Sequence, residues 1–140
     1  MFERILLAVD GSEHAMRAAK VAFEMTHCIN STELRIVVAY DPIPPYLGEP
    51  NMQGAIDARL DDAQEILQRA VAVVGNVPGE IHTELIEGSP AEAIIEVAKT
   101  RNSDVIVMGS RGLGRLAGLV LGSTSQKVVS HAPCPVLIVR

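Results

Sequence analysis

The chain of 140 residues is long enough for one domain with a single substantial core, and its composition, 48% hydrophobic and 21% charged with a net charge of -5, excludes general disorder. The acidic balance argues against a nucleic-acid partner, and so does the scarcity of aromatics: Phe2, Phe23, Tyr40 and Tyr46, with no Trp. No apolar run reaches membrane-spanning length, the first residues lack a signal-peptide pattern, and Cys28 and Cys134 are too few for a disulfide scaffold, so a cytoplasmic protein with reduced thiols and no membrane partner is expected.

Arg4–Val9 is a nearly continuous apolar run that closes on Asp10 and Gly11, the profile of a strand buried on both faces. Ser12 can cap the helix that follows, in which Ala15, Ala18, Ala19, Ala22 and Cys28 recur at helical spacing. A second strand is predicted over 34–40. Between Asp41 and Gly54 the chain places four of its eight prolines and two glycines, which predicts a long irregular connection. Ile56, Leu60, Ala63, Leu67, Ala70, Val71 and Val74 form one stripe of a long amphipathic helix, ended by Gly75, Asn76 and Pro78.

Residues 81–87 alternate apolar and polar, as an edge strand does. Ser89, Pro90 and Glu92 supply, in register, an N-cap, a first-turn proline and a capping-box acid for a helix running to about Thr100. Val105, Ile106, Val107 and Met108 read as a second fully buried strand. A helix is predicted over Ser123–His131, and Pro133 and Pro135 break the chain before a last strand, Val136–Val139. This alternation predicts the α/β class: an open five-stranded parallel sheet in the order 3-2-1-4-5, with helices on both faces. The ligand crevice of such a sheet lies beyond the carboxyl ends of the strands where the winding reverses, here the ends that carry Asp10 and Gly109.

The chemistry concentrates after the fourth strand. Gly109, a gap of two residues, Gly112, a gap of nine, and Gly122 followed by Ser123, Thr124 and Ser125 supply what a phosphate needs without a metal. Glycines let the backbone approach an anion closely, and Ser123, with Gln126 in capping-box spacing, would open a helix whose free N–H groups face the oxygens. Arg111 and Arg115 add positive charge between them. Any one glycine alone reads as a turn residue; all three, after an apolar strand and ahead of a helix, favour a phosphate loop.

Two better-known signatures fail. A P-loop needs Lys and then Ser or Thr where this chain has Arg115 and Leu116, and the dinucleotide-like spacing of Gly112, Gly114 and Ala117 lacks the acidic residue expected about twenty positions on. Asp10 has two readings. Before Gly-Ser it is a common turn residue; across the crevice from a phosphate loop it becomes an acceptor for ribose hydroxyls, the reading favoured here.

The remaining candidates are plainer. His14, His27, His82 and His131 show no metal-ligand spacing, and His14, close to Asp10 in sequence, is expected to face solvent. Cys134 has no adjacent base, and Glu33, Glu49, Asp57, Asp61 and Asp62 read as surface charge. The last strand carries no charge before Arg140, so as a sheet edge it would be protected by pairing with a second copy, as a homodimer.

Through these motifs the chain resembles the single-domain, ATP-binding branch of the universal stress protein family. The resemblance runs over 5–139 through LLAVDGS, EGSPAEAI, DVIVMGSRGLG, LGSTS and CPVLIV. It implies a Rossmann-like fold related to that of adenine nucleotide alpha hydrolases. It places Ala8, Val9, Asp10 and Ala39 around adenine and ribose, Met108, Gly109 and Gly112 along the nucleotide, and Gly122, Ser123, Thr124 and Ser125 at the phosphates. Thr124 stands where many relatives have Val.

The ligand implied is ATP, or else AMP, ADP or cyclic AMP, with magnesium entering only on the phosphates and no metal held by the protein alone. The homodimer through Val136–Val139 is implied as well. The signature loops of ATP pyrophosphatases and aminoacyl-tRNA synthetases are absent, and no catalytic residue stands out. The expected role is a nucleotide-binding stress-response or signalling module. The alternatives are a slow ATPase or nucleotide-processing enzyme, and a dimerising adaptor with a vestigial pocket.

Overall fold

The computed structural model describes residues 2–42, 48, 51–110 and 121–140. Arg111, Gly112 and Arg115, and most of the proline-rich stretch 42–50, therefore lie outside the described residues. The elements in chain order are β1 (Arg4–Val9), α1 (Glu13–Ile29), β2 (Glu33–Tyr40), α2 (Asn51–Val74), β3 (Glu80–Glu87), α3 (Pro90–Thr100), β4 (Val105–Gly109), α4 (Ser123–His131) and β5 (Val136–Val139). The strands form one sheet in the order β3-β2-β1-β4-β5, and every neighbouring pair is parallel. This is the doubly wound arrangement that the alternating pattern predicts.

Alternation along β1 divides the core into two layers. Ile5, Leu7 and Val9 face α1 and α2, where they cluster with Ala18, Ala22, Leu67 and Val74; Leu6 and Ala8 face α3 and α4, where they cluster with Ile94 and Val128. Burying each of the large aliphatic side chains contributes about 1.5–3 kcal/mol, so the central strands anchor both layers. Four of the six buried residues of α1 are alanines, Ala15, Ala18, Ala19 and Ala22, which let the helix lie close to the sheet.

Four local expectations are corrected. α2 begins at Asn51, so the irregular connection does not extend to Gly54. A Gly in a helix costs about 1 kcal/mol relative to Ala, and the buried stripe Ala63, Leu67, Ala70 and Val74 outweighs it. Cys28 is exposed, and the inward position on that turn belongs to Thr26, whose hydroxyl donates to the Phe23 carbonyl at 2.6 Å. Ser89 stands at the N-cap of α3 without a side-chain capping bond, while Glu92 pairs with Lys127 at 3.2 Å instead of closing a capping box.

Glu33, finally, is not simple surface charge. It holds the Arg35 guanidinium at 2.8 Å, Glu84 holds it at 3.1 Å from β3, and Arg101 reaches the other Glu84 oxygen at 3.1 Å. Arg35 is buried and fully engaged by these acids, and a buried charge needs such partners.

The winding reverses between β1 and β4, whose Ala8 and Met108 are register partners. Their carboxyl ends open a crevice lined by Ala8, Val9, Met108 and Gly109.

Candidate functional site

β1 ends in Val9, and Asp10 turns the chain into α1. Gly11 has φ 96, a conformation that favours glycine, and the Ser12 N–H donates to Asp10 Oδ1 at 2.9 Å. The turn reading of Asp10 is thus observed, and it uses one carboxylate oxygen; Oδ2 has no partner among the described residues. Ser12 caps α1, its Oγ accepting the Ala15 N–H at 3.1 Å, as its position in the sequence predicts.

Across the switch point, Gly109 closes β4. A Cβ there would meet His14 Cβ at 2.8 Å and the His14 backbone carbon at 2.9 Å. Glycine is needed at 109 because the first turn of α1 rests against it, a packing reason that the sequence motif does not reveal. Gly122 is the N-cap of α4, with φ -74 and ψ 167, a backbone conformation open to any residue. It is the residue with no side chain to cap, so the first-turn N–H groups of α4 receive no acceptor from it.

The capping box expected of Ser123 and Gln126 is not formed. Ser123 is the first helical residue and exposed, the Gln126 N–H donates to the Gly122 carbonyl at 3.0 Å, and the Gln126 side chain reaches the Leu121 carbonyl at 3.4 Å. Ser125 is buried, and its hydroxyl donates to the Gly109 and Ser110 carbonyls at 2.9 and 3.1 Å. With that hydrogen committed, what Ser125 offers an anion is its main-chain N–H.

The crevice between these turns gathers Ala8, Val9, Asp10, Ala39, Met108, Gly109, Thr124 and Ser125 from the sequence-predicted set. Gly122 and Ser123 stand at the adjoining helix start rather than in its lining, and Gly112 lies outside the described residues. Ser12, Ala15 and Pro90 also line it and were not in the predicted set. Ser12 and Pro90 carry a signal, since each marks the start of a helix that follows a strand at this end of the sheet.

His14 overturns an expectation. It is 6% exposed rather than solvent-facing, and its Nδ1 lies 3.0 Å from the hydroxyl of Ser110, itself buried. Burial, with the Asp104 carboxylate adding to it, pushes the Cys134 thiol up, away from the thiolate that a nucleophile requires. Among the described residues no group of His, Cys, Asp or Glu could hold a metal ion, and no helix is long and apolar enough to cross a membrane.

The profile of the universal stress protein family matches residues 1–140. The chain belongs to the universal stress protein family. It is 51% identical over 140 residues to the universal stress protein in the QAH/OAS sulfhydrylase 3′ region of Thermus aquaticus, covering 100% of both chains. Among solved structures it resembles the universal stress protein UspA from Lactobacillus plantarum with a TM-score of 0.87 at 28% identity, covering 99% of this chain and 98% of that one. It also resembles a universal stress protein in complex with cAMP, with a TM-score of 0.66 at 27% identity, covering 97% and 95%.

Proposed function

We propose that this chain binds an adenine nucleotide, ATP foremost, in the crevice between β1 and β4, and acts as a stress-response or signalling module through nucleotide-linked conformation or association. The observation that carries this is the start of α4: a glycine-capped helix whose first-turn N–H groups have no side-chain cap among the described residues, with Thr124 and Ser125 lining the crevice that Asp10 lines from the other side. Ala8, Val9 and Ala39 would take the base, Asp10 Oδ2 the ribose hydroxyls, Met108 and Gly109 the length of the nucleotide, and the turn of Gly122, Ser123, Thr124 and Ser125 the phosphates. The cAMP-bound relative supports the ligand class. Magnesium would arrive on the phosphates.

Binding exceeds catalysis in this reading. Phosphate hydrolysis needs a positioned water and a group to orient it. Among the described residues, Asp10 Oδ1 is engaged by the Ser12 N–H and His14 by Ser110. Calorimetry with ATP, ADP, AMP and cyclic AMP tests the proposal, and no binding by any of them would refute it. ATP turnover on the order of 1 per second or faster would instead establish the enzyme reading.

Association would use β5. It lies at the sheet edge, Leu137 is 39% exposed, and the strand carries no charge. Antiparallel pairing with a second copy would satisfy its open edge. Sedimentation should show a dimer that Leu137→Lys or Ile138→Pro converts to a monomer; a wild-type monomer at micromolar concentration would overturn it.

A further inference from the structure

His14 is a buried titratable side chain beside the crevice for which nucleotide contact provides no role. Its Nδ1 and the Ser110 hydroxyl are 3.0 Å apart, and the two residues are 6% and 1% exposed. Two polar groups so buried must satisfy each other, because neither has water to turn to. The contact spans 96 residues of sequence and joins the first turn of α1 to the residue that follows β4.

The main chain of Ser110 gives that contact its consequence. Its carbonyl accepts the Gly122 N–H at 2.7 Å and shares the Ser125 hydroxyl at 3.1 Å, while its N–H donates to Val139 at 2.8 Å. The N-cap and first turn of α4 therefore hang from Ser110. Gly109, without a Cβ, lets α1 sit close enough for the imidazole to reach. Asp10 and His14 leave the same turn, so the helix start that would face phosphate is braced from the element that would hold the ribose.

On the reading of the crevice as a nucleotide site, we propose that His14 is a positioning residue: through Ser110 it sets where the N-terminus of α4 stands relative to Asp10. A helix start held in place presents its N–H groups to phosphate without further ordering, whereas a loosened one must be ordered at the moment of binding. The brace matters for a ligand with phosphates and not for one without them.

ATP and adenosine affinities, measured by calorimetry on the full chain, separate these cases. His14→Leu and Ser110→Ala should each weaken ATP on the order of tenfold while changing adenosine by less than about twofold. His14→Asn, whose side chain ends at the position of Nδ1, should restore most of the loss. The double variant should be no worse than the worse single one, because both changes remove one bond. His82→Gln, at an exposed histidine on β3, should leave both affinities as in wild type. Should His14→Leu fail to fold, Ser110→Ala, which deletes a single oxygen, carries the same comparison. Equal losses for ATP and adenosine, or an unchanged ratio in all variants, would overturn the positioning role alone. Failure of the wild type to bind either ligand would overturn the nucleotide reading, and this role with it.

Discussion

Two helices begin beside the same crevice, α1 after β1 and α4 after the glycine motif, and they treat their free N–H groups in opposite ways. At α1, Ser12 accepts the Ala15 N–H and Asp10 accepts the Ser12 N–H, so the turn is closed by its own side chains. At α4 the cap is Gly122, and the nearby hydroxyl of Ser125 is turned away to donate to the Gly109 and Ser110 carbonyls. A helix start lacking an internal acceptor is where an anion gains most. The comparison thus separates a start closed by its own side chains from one that, among the described residues, has no side-chain cap and that the proposed function gives to the phosphates, although serines crowd both sequences.

Giving α4 the cap it lacks should produce the largest effect. Gly122 already has the φ and ψ of an N-cap, so Asp is accommodated there without backbone strain and can accept the first-turn N–H groups. Gly122→Asp should keep thermal stability within a few tenths of a kcal/mol or raise it, while ATP affinity falls on the order of a hundredfold through lost donors and charge repulsion. Adenosine should bind nearly as before. Gly122→Val should also weaken ATP, with a poorer cap and lower stability. Calorimetry paired with thermal melts reads both quantities, and an ATP affinity that survives Gly122→Asp would mean that the phosphates lie elsewhere.

The sheet, its order and the helix positions were legible because hydrophobic period and strand length report burial directly. What the sequence did not display depended on distant partners. His14 reads as a surface residue until Ser110, remote in the chain, is brought against it, and Glu33 reads as a solvated acid until Arg35 is buried between it and Glu84. Local signals also promised more than the fold used. Ser89 and Ser123 have capping-box spacing, yet Glu92 finds Lys127 and Gln126 finds the Leu121 carbonyl. Glycine at 109 was anticipated for closeness to an anion, and the structure adds closeness to α1 as a reason.

Asp10 sharpens the comparison from the α1 side. Its Oδ1 holds the turn and, in the proposed site, Oδ2 would take the ribose, so replacement by Asn keeps an acceptor for the Ser12 N–H while putting an amide donor where the second oxygen stood. Asp10→Asn should fold with little loss of stability and bind ATP and adenosine about tenfold more weakly, by the same factor for each. That equality is the useful part, because loss at the α4 start should spare adenosine. A variant that loses ATP and keeps adenosine would move Asp10 from the ribose to the phosphate end.

The smallest expected effect is at Ser12, and it tests whether the α1 start is structural as claimed. Ser12→Ala removes the oxygen that accepts the Ala15 N–H in a buried turn, and loss of such a cap costs about 1 kcal/mol. For a chain of this length that corresponds to a drop of roughly 3–4 °C in Tm. The residue also lines the crevice, so some loss of ATP affinity is expected, smaller than that of Asp10→Asn and about equal for adenosine. The order of the variants is therefore reversed between the two measurements: Gly122→Asp dominates binding and spares stability, while Ser12→Ala lowers stability and changes binding least. If Ser12→Ala instead cost ATP as much as Gly122→Asp does, α1 would be a phosphate-binding start too, and the division of labour between the two helices would fall.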